Sequence, residues 1–138
     1  MHTLLYRSSA RPGLLASDLN DIINESVARN PALGITGLLL HGRLEAVAAA
    51  PGEFVQWIEG PEDAVESLYE RIEDDPRHTD ADVLHRGPTD DLAGRGINLE
   101  DGRLFPDWSM RLVRMAELPA TLDGFLRFAA DRVALEAA

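Results

Sequence analysis

The sequence predicts an α+β sandwich, in which a mixed five-stranded sheet carries two helices on one face and a C-terminal helical cap. Three observations predict it. Apolar or alternating runs of strand length recur between residues 3 and 115, broken by two stretches of helical periodicity. Turn residues separate the runs, so that the order reads βαββαββα. Both strand–helix–strand units should cross over with the same hand, which places their helices on the same side of the sheet. The result is a ferredoxin-like βαββαββ domain over residues 1–115, with residues 116–138 as the cap.

Residues 3–9 form the first strand, with Leu4, Tyr6 and Ser8 on one face and Leu5 and Arg7 on the other. Arg11-Pro12-Gly13 makes a turn. Ser17 is the expected N-cap of the first helix, and Asp18 suits its positive end. Leu19, Ile22, Ile23, Ser26, Val27 and Asn30 recur at helical spacing until Pro31, which should push Asn30 out of the helical region. Gly34 to Leu40 is apolar enough to be a buried central strand. His41 to Gly52 fits no single element, and Phe54 to Ile58 is the third strand. Pro61 is expected at the first position of the second helix, with Glu62 and Asp63 following and Val65, Leu68, Tyr69 and Ile72 turned inward. Ala81 to Leu84 starts a fourth strand, and Gly87 to Gly102 is a long loop. Trp108 to Leu112 lies in the fifth strand. Pro119 and Thr121 open the last helix, whose apolar face is Leu122, Phe125, Leu126, Ala129 and Val133.

Composition excludes several classes of function. The chain of 138 residues has no cysteine, so disulfides, thiolate chemistry and cysteine metal sites are out. His2, His41, His78 and His85 form no metal-ligand spacing. Thirteen basic residues against 24 acidic ones give a net charge of −11, which repels nucleic acid and anionic membranes. No apolar run approaches the roughly 20 residues that span a bilayer, and the N-terminus does not read as a signal peptide. The expectation is a cytoplasmic globular protein.

The informative residues are polar ones inside core patterns. Ile22, Ser26 and Asn30 form one helical stripe that begins apolar and turns polar. Taken alone, Ser26 reads as a boundary residue and Asn30 as a helix cap. Gln56 stands between Phe54 and Ile58, and a glutamine there is ordinarily wet at a sheet edge. Tyr6, Trp108 and Met110 are each ordinary packing residues. Together they suggest a phenol and two amides converging beneath two helices, a set suited to a flat heterocycle with donors and acceptors on its edge.

These residues lie in five segments, in order. They are Leu5-Tyr6-Arg7-Ser8, Asn30 to Leu39, Phe54 to Pro61, Asp75-Pro76-Arg77-His78, and Phe105-Pro106-Asp107-Trp108-Ser109-Met110. The sequence over residues 3–115 resembles a BLUF domain, a blue-light sensor that binds FAD. The resemblance implies a flavin ring between the two helices. It implies that Tyr6 supplies an electron and a proton to the excited flavin, and that Gln56 links Tyr6 to the ring. Asn30 would bond the ring's polar edge, Ile22 would pack on the ring, and Ser26 would lie near the Tyr–Gln pair. Arg77 and His78 would face the ribityl and phosphate end. Trp108 and Met110 would relay the signal, Met110 also lying close to the cofactor.

The sequence departs from the family's pattern in two long stretches, 41–53 and 88–103, which read as surface loops. It departs also at Arg29, where relatives often carry Asn or His against the flavin. An arginine there pairs with a carbonyl or phosphate, or points outward. The expectation is a non-enzymatic sensor that signals to a separate protein and self-associates as a homo-oligomer, while the charge of −11 speaks against contact with nucleic acid or membrane. Without cysteine the flavin has no cysteinyl adduct to form, which leaves hydrogen-bond rearrangement. A degenerate, flavin-free interaction module is the alternative. An acyl-phosphate hydrolase is disfavoured because no glycine-rich cradle surrounds Arg11, and an RNA-binding role because sheet aromatics and positive charge are lacking.

Overall fold

A computed structural model describes residues 1–11, 16–43, 52–92 and 102–133. Pro12 and Gly13 of the expected turn and most of the two long loops lie outside these residues. The strands are β1 (His2–Ala10), β2 (Thr36–Arg43), β3 (Glu53–Gly60), β4 (His78–Pro88) and β5 (Trp108–Arg114). The helices are α1 (Ala16–Arg29), α2 (Glu62–Asp74) and α3 (Leu122–Phe128), the last continuing as a π-helix over Ala129–Val133. The sheet order is β4-β1-β3-β2-β5, antiparallel except for the parallel pair β2–β5. The expected mixed five-stranded α+β sheet is therefore present. Among the described residues no helix is long and apolar enough to cross a membrane.

The faces follow from the pleat. Leu4 and Tyr6 of β1 pack with Ile58 of β3 against Val65, Leu68, Tyr69 and Ile72 of α2. On the same face Leu39, Phe54 and Trp108 meet Leu19 and Ile22 of α1. Leu5, Leu38, Val55 and Trp57 turn to the opposite face, where Phe125 and Leu126 of α3 cover them. The Trp57 and Phe125 rings stack with centroids 5.4 Å apart. Burial of a side chain like Phe125 contributes about 2–3 kcal/mol. The last helix thus closes the face that α1 and α2 leave open.

Local boundaries differ from the sequence reading for identifiable reasons. Helix α1 begins by Ala16, so Ser17 lies within its first turn rather than capping it. Asn30 keeps helical angles, φ −63 and ψ −43, despite Pro31. Instead of ending the coil, Pro31 opens a 3-10 turn, Pro31–Leu33, which Gly34 closes at φ 71. This left-handed position favours glycine. Pro61 is the extended residue before α2, not its first helical one. The fourth strand runs well beyond Ala81–Leu84. As an edge strand with many exposed residues, it shows little apolar alternation to mark its ends.

A buried carboxylate fixes the approach to β5. Glu59 is fully buried in β3 and accepts from the backbone N–H of Leu104 at 2.7 Å and of Phe105 at 2.8 Å. It also accepts from Thr36 Oγ1 and Trp57 Nε1, each at 2.9 Å. Arg103 donates to the Gly34 carbonyl at 2.8 Å and to Thr36 Oγ1 at 2.9 Å. One residue type, placed where an apolar side chain would otherwise sit, thereby ties the segment before Trp108 to the sheet. At Gly37, the register partner of Trp108, a Cβ would come within 1.9 Å of the Trp57 carbonyl oxygen, so only glycine fits.

Candidate functional site

Register brings the key side chains together. Tyr6 pairs with Gln56 across β1 and β3, Leu39 pairs with Gln56 across β2 and β3, and Met110 pairs with Leu39 on β5. Paired residues point to the same face, here the one beneath α1 and α2. Gln56 is only 4% exposed, on a central strand, so the wet edge position expected of such a glutamine does not apply. Its Nε2 donates to Tyr6 Oη at 2.6 Å, and its Oε1 accepts from Trp108 Nε1 at 2.9 Å. An indole N–H can only donate, so the amide oxygen must face Trp108. The amide nitrogen then faces Tyr6, whose Oη accepts and keeps its own proton for another partner. Burial pushes the Tyr6 phenol well above its ordinary value of 10, the Gln56 bond pulls the other way, and Tyr69 and Asp75 add to the rise. The phenol is neutral throughout the physiological range.

Beside this chain lies a cleft of about 450 Å³, including the part open to solvent. Leu39 and Gln56 form its floor. Ile22, Ser26, Arg29 and Asn30 line it from α1 and the turn that follows. Leu68 and Ile72 line it from α2, and Arg77 and His78 close one end. Asn30 is 1% exposed, and among the described residues its Nδ2 has no hydrogen-bond partner. A buried amide N–H without an acceptor is costly, and this one belongs to a residue that lines the cleft, so an acceptor entering there would satisfy it. Arg29 Nε donates to Asn30 Oδ1 at 3.5 Å and so favours the amide orientation that leaves Nδ2 free.

Charge gathers at the rim. Arg77 bonds Asp75 through Nε at 2.9 Å and Glu25 of α1 through Nη2 at 2.9 Å. Burial alone would raise the Asp75 carboxyl, but the bonds and charge of Arg77 hold it below its ordinary value. His78 shares a 3.0 Å bond with Ser8 Oγ. Burial lowers the His78 pKa from 6.5 to about 4, against the pull of Asp75 and with the push of Arg77, so the ring is neutral.

Seven of the residues singled out in the sequence therefore line one cleft. Tyr6 stands behind it, joined through Gln56. Trp108 and Met110 lie one strand further on and do not line it; Met110 packs against the cluster beneath α1. Sequence reasoning missed Glu25, Leu39, Leu68, Arg71, Ile72 and Asp75 as cleft residues. Glu25 follows Ile22 by three positions and Arg71 follows Leu68 by three, so helical spacing from the inward stripe was an available signal.

Comparison with known proteins agrees with this geometry. The family model described as BLUF, sensors of blue-light using FAD, matches residues 1–111. Photoactivated adenylate cyclase subunit beta of Euglena gracilis is 44% identical over 86 residues, 62% of this chain and 9% of that protein. The blue light- and temperature-regulated antirepressor BluF of Escherichia coli (strain K12) is 33% identical over 76 residues, 55% of this chain and 17% of that protein. The chain thus spans about a tenth of the cyclase subunit's length. Among solved structures, the BLUF protein BlrB in its dark state superimposes with a TM-score of 0.62 at 34% identity, covering 99% of this chain and 89% of that one. With the sheet, the cleft and these relatives in agreement, the chain belongs to the BLUF family of blue-light sensors.

Proposed function

We propose that this chain senses blue light by holding FAD non-covalently in the cleft between α1 and α2, and that reorientation of the Gln56 amide carries the signal to β5. The observation that carries this reading is the continuous chain from Tyr6 through Gln56 to Trp108 at the floor of the cleft. Bound flavin supplies what side chains lack, which is absorption of blue light and, once excited, strong oxidising power. The residues present fit such a group. Asn30 Nδ2 is a spare donor for a ring carbonyl, Gln56 offers an amide beside it, and Ile22, Leu39 and Ile72 offer apolar walls. Arg77 and His78 suit the ribityl chain, with Ser26 lining the α1 wall. Met110 packs beyond the floor, where movement of the amide is felt.

Tyr6 keeps its hydroxyl proton available, because its oxygen accepts from Gln56. A neutral phenol can release an electron and that proton together. When the Gln56 amide turns over, Oε1 accepts from the Tyr6 hydroxyl. Nε2 then faces Trp108 Nε1, and two donors oppose each other, so the 2.9 Å bond to Trp108 is lost. A lost buried bond is worth about 1–3 kcal/mol, enough to shift a two-state equilibrium of β5 about tenfold or more. The output we propose is altered contact between β5, an edge strand, and a protein partner. An absorption spectrum of the purified protein before and after blue illumination tests the reading. A flavin spectrum that shifts to the red and recovers in darkness is expected; a colourless protein that takes up no FAD on reconstitution refutes it.

A further inference from the structure

The mouth of the cleft carries two arginines on opposite walls, Arg29 from α1 and Arg71 from α2. In a chain with 24 acidic residues, neither forms an ion pair with a carboxylate among the described residues. The two carboxylates that line the same cleft, Glu25 and Asp75, are both bonded to Arg77. Arg29 is left with only the 3.5 Å contact to the amide oxygen of Asn30. Burial lowers the Arg29 pKa, and the charge of Arg71 lowers it further, more than Glu25 or Asp75 restores it. Facing like charges in a protein of net charge −11 are unfavourable unless an anion joins them.

We propose that Arg29 and Arg71 form an anion subsite at the cleft mouth, which takes the phosphate ester of a flavin nucleotide and sets the preference for phosphate-bearing flavins over riboflavin. The proposal rests on the flavin reading above. The spare Asn30 donor lies beside Arg29 in the same cleft, so a ring held at Asn30 and a phosphate held at the rim belong to one elongated ligand. Arg71 is exposed and its substitution disturbs no packing.

Binding of riboflavin, FMN and FAD to the parent protein, to Arg71→Gln and to Arg71→Glu tests this by titration at low and high salt. The parent should bind FMN and FAD about tenfold more tightly than riboflavin, with a preference that shrinks as salt rises. Arg71→Gln should weaken FMN and FAD about fivefold, Arg71→Glu more strongly, and both should leave riboflavin within about twofold. Without flavin, Arg71→Glu should melt at a higher temperature than the parent, since it converts repulsion into an ion pair with Arg29. Equal affinity for riboflavin and FMN in all three proteins overturns the subsite while leaving the flavin reading intact. If inorganic phosphate alone raises the parent's melting temperature through Arg71 and FMN gains nothing over riboflavin, the site serves free phosphate and the proposal fails. No binding of any flavin overturns both readings.

Discussion

The indole N–H of Trp108 donates to Gln56 Oε1 at 2.9 Å, and this bond decides which end of the amide faces Tyr6. A donor-only group on one side of an amide works as a latch. It favours one orientation and is lost in the other. Because Trp108 begins β5, the latch joins the cleft floor to an edge of the sheet.

Trp108→Phe keeps the ring and removes the donor. Without it the turned amide no longer faces an opposing N–H, so the illuminated state is penalised less. Dark recovery of the absorption shift should slow about tenfold, corresponding to roughly 1.4 kcal/mol. Recovery as fast as in the parent would show that the latch does not bias the amide.

Tyr6→Phe and Gln56→Leu should both abolish the red shift while retaining flavin. Each leaves a buried donor without its acceptor: the Gln56 amide N–H in the first, the Trp108 indole N–H in the second. Each should also lose about 1–3 kcal/mol in denaturant unfolding of the flavin-free protein. A normal light response in either variant removes that residue from the switch.

Period-two spacing was enough to put Tyr6, Ser8, Gln56 and Met110 on inward faces, because strand pleating is a local property. Whether Gln56 was buried or wet depended on which strands flank β3, and that is a property of pairing, not of the segment. The Pro31 rule failed at Asn30 because a 3-10 turn accommodates proline without leaving helical angles. Arg71 and Glu25 are exposed helix residues, and their significance comes from the opposite wall of the cleft, which only the helical spacing from Leu68 and Ile22 hints at. Glu59 carries no signal of its own within the segment Phe54 to Pro61. Its four donors come from β2, from its own strand and from the segment before β5, and no sequence spacing brings those together.

Asn30→Leu separates a ligand-binding role from a structural one. Replacing the amide removes a buried donor with no partner and leaves a side chain of similar volume. The flavin-free protein should be as stable as the parent or up to about 1 kcal/mol more stable, while FAD affinity falls at least tenfold. A variant that loses stability without flavin but retains FAD would assign Asn30 to the fold.

Glu59→Gln should destabilise the protein more than a conservative change suggests. A carboxylate offers two accepting oxygens to four donors, whereas an amide turns one of those positions into a donor. The expected loss is about 2–4 kcal/mol by denaturant titration. Either orientation of the amide opposes one of the Leu104 and Phe105 N–H groups, so the loosening falls next to Trp108. Hydrogen exchange at those two amides should therefore accelerate, and unchanged protection would place their anchoring elsewhere.

His78 makes acid stability a test of the buried end of the cleft. Its ring stays neutral in the folded protein down to about pH 4, whereas an unfolded histidine takes a proton near 6.5. Above pH 6.5 both states leave it neutral and it adds no pH dependence. Between 6.5 and 4 only the unfolded chain binds the proton, so acid favours unfolding, by about 3 kcal/mol over the whole window. Replacing His78 with Gln should flatten the fall in unfolding free energy between pH 6.5 and 4 by that amount, while unfolding above pH 7 changes only by a constant offset from the lost Ser8 bond and ring packing. A variant whose pH profile parallels that of the parent would show that the imidazole is already accessible to protons in the fold.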